Sequence, residues 1–117
     1  MGDARTTIRD LRAPTTALRQ AIPDVWEGFG LLHDAAMADG VLTGKEKQLI
    51  ALAISVVQRC DGCIAYHARA VARLGATAGE LGEALGVALL MDGGTASVSP
   101  PRASAAYLDF APVPAST

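Results

Sequence analysis

The sequence predicts an all-α protein with five or six helices in a single domain. Apolar residues recur at helical spacing, two segments open with a capping box, and strict apolar–polar alternation never persists for five residues. A length of 117 residues is typical of one domain. Hydrophobic residues make up 50% of the chain but aromatic residues only 4%, so we expect a core of Ala, Val, Leu and Ile side chains. Such small residues favour close helix packing and leave flat apolar faces for a partner subunit, so an oligomer is expected.

The first 22 residues are predicted to form an N-terminal arm. Residues 1–14 are polar and end at Pro14, which indicates an extended lead-in, followed by a short helical piece before Pro23. A first long helix is predicted from Pro23, which suits a first-turn position, to the terminator Gly40. Its apolar residues recur at helical spacing: Val25, Phe29, Leu32 and Ala36.

Two further helices begin at capping boxes. Thr43 and Glu46 stand at the start of the segment LTGKEKQLIALAISVVQ, and Thr77 and Glu80 repeat that pattern before a helix that ends at Gly93–Gly94. Between them, a helix that holds the only two cysteines is expected to run to about Leu74.

The remaining boundaries come from helix breakers. Gly75 is expected to stop the cysteine helix, Pro100–Pro101 to form a loop, and a final helix to end near Phe110. The predicted organisation is an arm over residues 1–22, a helical domain over residues 23–110 and a mobile tail over residues 111–117.

Charge and hydropathy exclude some classes of partner. The formal net charge is −2 and no basic block interleaved with aromatic residues occurs, so no nucleic acid partner is expected. The longest apolar stretch, Leu49–Val57, is far too short to span a membrane, and no membrane partner is expected. The first ten residues lack the apolar region of a secretory signal, so a cytoplasmic location is predicted.

The segment QRCDGCIAYH brings together Cys60, Cys63 and His67. A redox centre, a metal site, a structural disulfide and coincidence are the four interpretations. Structural disulfides are rare in the cytoplasm, and a closed zinc site needs four ligands, so the redox interpretation is favoured. At about 100° per residue, Cys63 and His67 lie within about 60° of Cys60 on the apolar face of a helix, where we expect the sulfurs to be shielded. A helix N-terminus lowers a thiol pKa, and His67 lies one turn after Cys63 and can exchange its proton.

The segment VLTGKEKQLIALAISVVQRCDGCIAYHARAVARLGATAGELGEALGVALLM, residues 41–91, resembles the alkylhydroperoxidase D-like branch of the carboxymuconolactone decarboxylase superfamily. The resemblance rests on a Leu-Thr-x-x-Glu helix start, ALAIS, a Cys-x-x-Cys-x-x-x-His centre and an LGAT…EL turn. It implies an all-helical bundle around a two-helix core unit, assembled as a homotrimer or homohexamer. It also implies a thiol peroxidase or disulfide reductase that takes a hydroperoxide or disulfide substrate and an external dithiol reductant. No metal or organic cofactor is implied.

The resemblance also assigns roles to individual residues. Cys63 resembles the peroxidatic cysteine, Cys60 the resolving cysteine, and His67 the histidine of a proton relay. The relay acid departs from the best-known pattern, because Gln48 occupies the position twelve residues before the first cysteine where that pattern has glutamate. Glu46, fourteen residues before Cys60, is the candidate acid, with a role as a helix cap as the alternative.

Two other functions stay open at this point. One is lactone decarboxylation, which gives no reason for two cysteines one turn apart. The other is a non-enzymatic, redox-sensing helical assembly in which the disulfide changes packing.

Overall fold

The structure is a computed structural model that describes residues 3–93 and 99–112. Within these ranges it contains six α-helices and no strand, which confirms the all-α prediction. The helices are α1 (Ala4–Ala21), α2 (Pro23–Met37), α3 (Gly44–Gln58), α4 (Asp61–Arg73), α5 (Ala78–Asp92) and α6 (Ser99–Phe110). The mobile tail predicted for residues 111–117 lies outside the described residues from residue 113 onward, as do residues 94–98.

Helix α4 lies at the centre of the bundle and packs against α1, α3 and α6. Its residues Ile64, Ala68 and Val71 are each at most 1% exposed, because they follow one another at helical spacing along the face turned to the core. The core is aliphatic as expected, with Tyr107 as a buried aromatic side chain whose hydroxyl donates to the Ala76 carbonyl oxygen at 2.6 Å. The cysteine-bearing start of α4 therefore belongs to a helix that packs against three others.

Helix α1 corrects the prediction of an extended lead-in over residues 1–14. Asp3 caps this helix by accepting from the Thr6 backbone N–H at 2.8 Å, and the helix continues through Pro14 to Ala21. Pro14 lacks an N–H group and so removes one interior hydrogen bond, but packing outweighs that loss because Ala4 and Ile8 are buried. The N-terminal segment is thus part of the folded bundle.

Helix α6 corrects the loop predicted at Pro100–Pro101. Both prolines lie in the first turn of α6, which begins at Ser99. A proline in a first turn removes no hydrogen bond, because the N–H groups there have no intrahelical partner, so the two prolines begin the helix instead of preceding it.

The two predicted capping boxes are confirmed. Thr43 and Thr77 each accept from the backbone N–H three residues later at 3.1 Å, and the glutamates Glu46 and Glu80 accept in return from the threonine N–H groups. Hydrogen bonding to Thr77, aided by Lys45, lowers the pKa of Glu80. These boxes fix the starts of α3 and α5, which pack against each other.

Helix α2 is the least packed element. None of its residues is buried, and Val25, Phe29 and Leu32 are 67%, 59% and 66% exposed. It makes only slight contact with α1 and α3. An isolated helix of this length is marginal in water, and exposed apolar surfaces of this kind are typical of interaction sites.

Candidate active site

A tight connection between α3 and α4 positions Cys60. Arg59 has a left-handed backbone, with φ 56° and ψ 40°, and Cys60 is extended, so the chain reverses direction within two residues. The left-handed conformation costs a non-glycine residue roughly 1–2 kcal/mol. The Arg59 side chain forms an ion pair with Asp92 of α5 at 2.8 Å, which ties this connection to the bundle.

The two cysteines form a disulfide at the N-terminus of α4, with their Cα atoms 5.2 Å apart. Cys60 is the N-cap residue and not a helical residue, so the prediction that it lies on the helix wheel is wrong. Its Sγ accepts from the Cys63 backbone N–H at 3.3 Å, which explains the helix start: sulfur takes the place of a capping oxygen. The helix N-terminus therefore acts first on Cys60, whereas Cys63 is the cysteine one turn from His67.

Both cysteines are half-buried, so the expected shielding from water is only partial. They line an open cavity of about 620 Å³, here called the disulfide cavity, together with Thr7, Asp10 and Leu11 of α1 and with Asp61, Gly62 and Tyr66 of α4. A methyl group on Gly62 would lie 3.1 Å from Leu11 Cδ1, so glycine allows α1 to pack closely over the cysteine pair.

The contribution of α1 was missed at the sequence level. The available signal was the spacing of Ala4, Ile8 and Leu11 along one helical face, which the polar composition of residues 1–14 obscured.

His67 forms a hydrogen bond with Gln48 of α3, with 2.7 Å between Nδ1 and Oε1. When the amide oxygen accepts, Nδ1 carries the proton and Nε2 is left as the proton-accepting nitrogen. Burial lowers the pKa of His67, and the neighbouring His33 lowers it further, so the ring is neutral near pH 7. Among the described residues no hydrogen bond joins this ring to either sulfur, which in the disulfide carries no proton to exchange.

Glu46, the predicted relay acid, lies away from this pair. Its Oε1 accepts from the Thr43 backbone N–H at 3.1 Å and from the Thr43 hydroxyl at 3.0 Å. Residues two positions apart on a helix point about 200° away from each other, so Glu46 points outward when Gln48 points inward. The contacts of Glu46 are therefore those of a helix cap, and its place in a proton relay stays a prediction. The structure instead brings Gln48 to His67.

His67 also faces a second cavity on the other side of Tyr66. This cavity of about 310 Å³, here called the basic cleft, is lined by His33 of α2, Gln48 of α3, and Tyr66, His67, Arg69 and Arg73 of α4, among others. Tyr66 lines both cavities and separates the disulfide from the arginines.

The described ranges hold no group of three or more His, Cys, Asp or Glu side chains arranged to bind a metal ion. In the same ranges, no helix has both the length and the hydropathy needed to cross a bilayer.

Comparison with known proteins places this arrangement in a family. The sequence model of the carboxymuconolactone decarboxylase family matches residues 23–99. An uncharacterised protein of Cupriavidus necator is 34% identical over 107 residues, which cover 92% of this chain and 94% of the relative. Uncharacterised protein 4 of the cox locus of Paracoccus denitrificans is 40% identical over 70 residues, covering 60% of this chain and 63% of the relative.

A solved structure agrees with the sequence matches. The crystal structure of apo-lpg0406, a carboxymuconolactone decarboxylase family protein from Legionella pneumophila, superposes with a TM-score of 0.90 and is 35% identical. It matches 93% of this chain and 97% of its own, so the similarity includes α1, which lies outside the family model. The chain belongs to the carboxymuconolactone decarboxylase family, in agreement with the resemblance seen in its sequence.

Proposed function

We propose that the protein is a thiol-dependent peroxidase or disulfide reductase whose redox couple is the Cys60–Cys63 pair. The observation that carries the proposal is the disulfide itself, which lies at a helix N-terminus, lines an open cavity and has a neutral histidine one turn further along α4. A half-buried pair at a helix N-terminus meets the conditions for a reactive thiol.

The reaction has three balanced steps. In the reduced protein the Cys63 thiolate attacks the distal oxygen of a hydroperoxide; the O–O bond breaks, an alcohol leaves after taking a proton, and Cys63 becomes a sulfenic acid. Cys60 then attacks the Cys63 sulfur and releases water, which forms the disulfide. An external dithiol gives two electrons and two protons to restore both thiols, and is itself oxidised to a disulfide. No metal or organic cofactor enters these steps.

His67 is the group proposed to take the Cys63 proton and return it to the leaving alcohol. Its neutral ring is the form that accepts a proton, and its hydrogen bond to Gln48 fixes the direction of the ring. An amide stabilises the resulting imidazolium less than a carboxylate would, so His67 is a weaker base here than in a histidine–glutamate relay. The proposed peroxidase step is correspondingly slower than with glutamate at position 48.

The test is steady-state reduction of an organic hydroperoxide with a small dithiol as electron donor. Cys63→Ser is expected to abolish turnover. Cys60→Ser lacks the resolving thiol, so the sulfenic acid of Cys63 is restored only by direct attack of the external dithiol, and turnover is expected to be slower than in the unaltered protein. Ser55→Ala, which removes a core hydroxyl that donates to the Ala51 carbonyl oxygen, is the control for general disturbance of the fold. Equal turnover by Cys63→Ser and the unaltered protein would refute the proposal.

Lactone decarboxylation needs neither thiol, so the double variant Cys60→Ser/Cys63→Ser separates the two chemistries. Turnover of a carboxylated lactone that survives this variant, in a protein without peroxidase activity, would favour decarboxylation.

A homotrimer or homohexamer is part of the proposal. Two different apolar surfaces support it: the exposed face of α2, and a groove of about 440 Å³ between α3 and α5 whose described lining residues are all apolar. Contact between two unlike surfaces of identical chains is head-to-tail, and it forms a closed ring when the rotation between neighbouring copies closes. The proposed partners are therefore copies of this chain arranged in a ring. Equal mass in the oxidised and reduced states would count against a redox-sensing assembly.

A further inference from the structure

The basic cleft carries a concentration of positive charge that the proposed redox chemistry does not use. Its described lining residues include two arginines and two histidines but no carboxylate. Arg69 and Arg73 lie one turn apart on α4, so their guanidinium groups reach the same stretch of surface.

Neither of these arginines has a carboxylate partner among the described residues. Three other basic side chains in the same ranges do have one: Arg59 pairs with Asp92, Lys45 with Glu80 at 2.9 Å, and Arg102 with Asp61 at 3.8 Å. Like charges one turn apart on a helix repel each other and lower its stability. An uncompensated pair bordering a cavity is the arrangement expected where the compensating charge comes from a ligand.

Arg69 is also fixed in place before any ligand arrives. Its guanidinium carbon lies 5.3 Å from the centre of the Tyr66 ring, and the residue is half-buried. Burial lowers the pKa of Arg69, and the nearby Arg73 and Arg12 lower it further while Tyr66 acts in the opposite direction. A partly desolvated guanidinium held against a ring forms stronger hydrogen bonds to an anion than a solvated one does.

We propose that the basic cleft binds the oxyanion of a small molecule, a carboxylate or a phosphate group, between Arg69 and Arg73 with the His67 ring beside it. A planar guanidinium donates two parallel hydrogen bonds to either group. The volume of about 310 Å³ lies at the small end of ligand pockets, which suits a compact molecule. Because Tyr66 lines both cavities, such a ligand lies on the opposite side of Tyr66 from the cysteine pair. This binding does not depend on the redox proposal.

The test is isothermal titration calorimetry on the full chain in buffers of constant ionic strength. Inorganic phosphate and glutarate are the two probes, and neutral glutaramide is the control for size and shape. We expect saturable binding of at least one anion, at one site per chain, and none of glutaramide. Binding of phosphate alone or glutarate alone supports the proposal and identifies which oxyanion the cleft prefers.

Variants locate the binding. Loss of a single charge-assisted hydrogen bond of about 1.5 kcal/mol weakens binding roughly tenfold, so Arg69→Gln and Arg73→Gln, which each remove a two-bond donor, are expected to weaken binding by at least this factor. Arg73 is exposed, so Arg73→Gln keeps the test decisive even where Arg69→Gln fails to fold. Arg9→Gln, on the exposed side of α1, is the matched control and is expected to bind as the unaltered chain does.

Three results would overturn the proposal. One is the absence of saturable binding by both anions, and another is binding that neither cleft variant weakens. The third is an unaltered chain that binds neither anion, together with an Arg73→Gln variant whose oligomer mass differs from that of the unaltered chain. This result would show that a carboxylate of a second copy neutralises the cleft. Cys63→Ser is expected to bind the anions with the same affinity as the unaltered chain, so failure of the redox proposal does not affect this result.

Discussion

The Gln48→Glu substitution perturbs the site at its best-defined contact. The amide oxygen lies 2.7 Å from His67 Nδ1, so a glutamate in the same position puts a carboxylate against the ring. With charge centres about 4 Å apart and an effective dielectric constant of about 20, the attraction to an imidazolium is about 4 kcal/mol. Position 48 is only 8% exposed, so burial of the new charge offsets part of this attraction.

We expect a net stabilisation of the protonated His67 ring by about 1.5–3 kcal/mol, which moves its titration midpoint about one to two pH units upward. The assay is a two-dimensional NMR titration of the His67 ring signals. The same change should make Cys63 react with iodoacetamide at lower pH in the reduced protein, because an imidazolium one turn away stabilises the thiolate.

Glu46→Gln is the matched comparison, because it removes a carboxylate that lies two residues before position 48 on the same helix. The Glu46 carboxylate bonds to Thr43, so the His67 midpoint is expected to move by less than about 0.3 pH units. The reasoning is refuted if Gln48→Glu leaves the midpoint unchanged, or if Glu46→Gln moves it as far.

Four other predictions follow from the same structure. Thr43→Ala removes the cap of α3 and should lower the free energy of unfolding by about 1 kcal/mol in urea; an unchanged midpoint would contradict the role of the cap. The folded-state pKa of His67 lies below the usual 6.5. As the pH falls below 6.5, the unfolded chain binds a proton on this ring before the folded chain does, so the free energy of unfolding decreases. His67→Gln should lose less stability than the unaltered chain as the pH falls below 6.5, and equal losses in the two proteins would refute this assignment. Phe29→Glu places a charge on the exposed face of α2 and should reduce the mass measured by light scattering to that of a smaller assembly, whereas an unchanged oligomer would exclude α2 from the interface. Leu11→Ala opens the disulfide cavity and should speed reduction of the disulfide by dithiothreitol; the same rate as in the unaltered chain would show that α1 does not restrict access.

Patterns among residues that are close in sequence were sufficient to predict most of the helices. The capping boxes at Thr43 and Thr77 and the apolar spacing between them depend on residues three or four positions apart, so the sequence alone predicts α3 and α5. The short helical piece predicted before Pro23 lies within α1, but the part of α1 up to Pro14 was missed. Its helical state depends on burial of Ala4 and Ile8 against distant elements, and this tertiary packing outweighs the effect of Pro14.

The candidate site was predictable only in part. The cysteine pair and His67 lie within eight residues, so their proximity follows from helix geometry. The contact of His67 with Gln48 joins residues nineteen positions apart on two helices, and no local pattern indicates which of two nearby polar residues turns inward. The N-cap position of Cys60 was missed for another reason: sulfur is a weak acceptor and is not among the preferred capping groups.

Single-turnover oxidation of the fully reduced protein tests the central claim most directly. Reduced protein is mixed with one equivalent of an organic hydroperoxide, and the remaining thiols and the remaining peroxide are counted together. A reversible Cys60–Cys63 couple predicts loss of two thiols per peroxide consumed, one intramolecular disulfide by mass spectrometry, and a trappable sulfenic acid on Cys63 in Cys60→Ser. Peroxide consumption no faster than that of free cysteine, with the same rate in Cys63→Ser, would contradict the account.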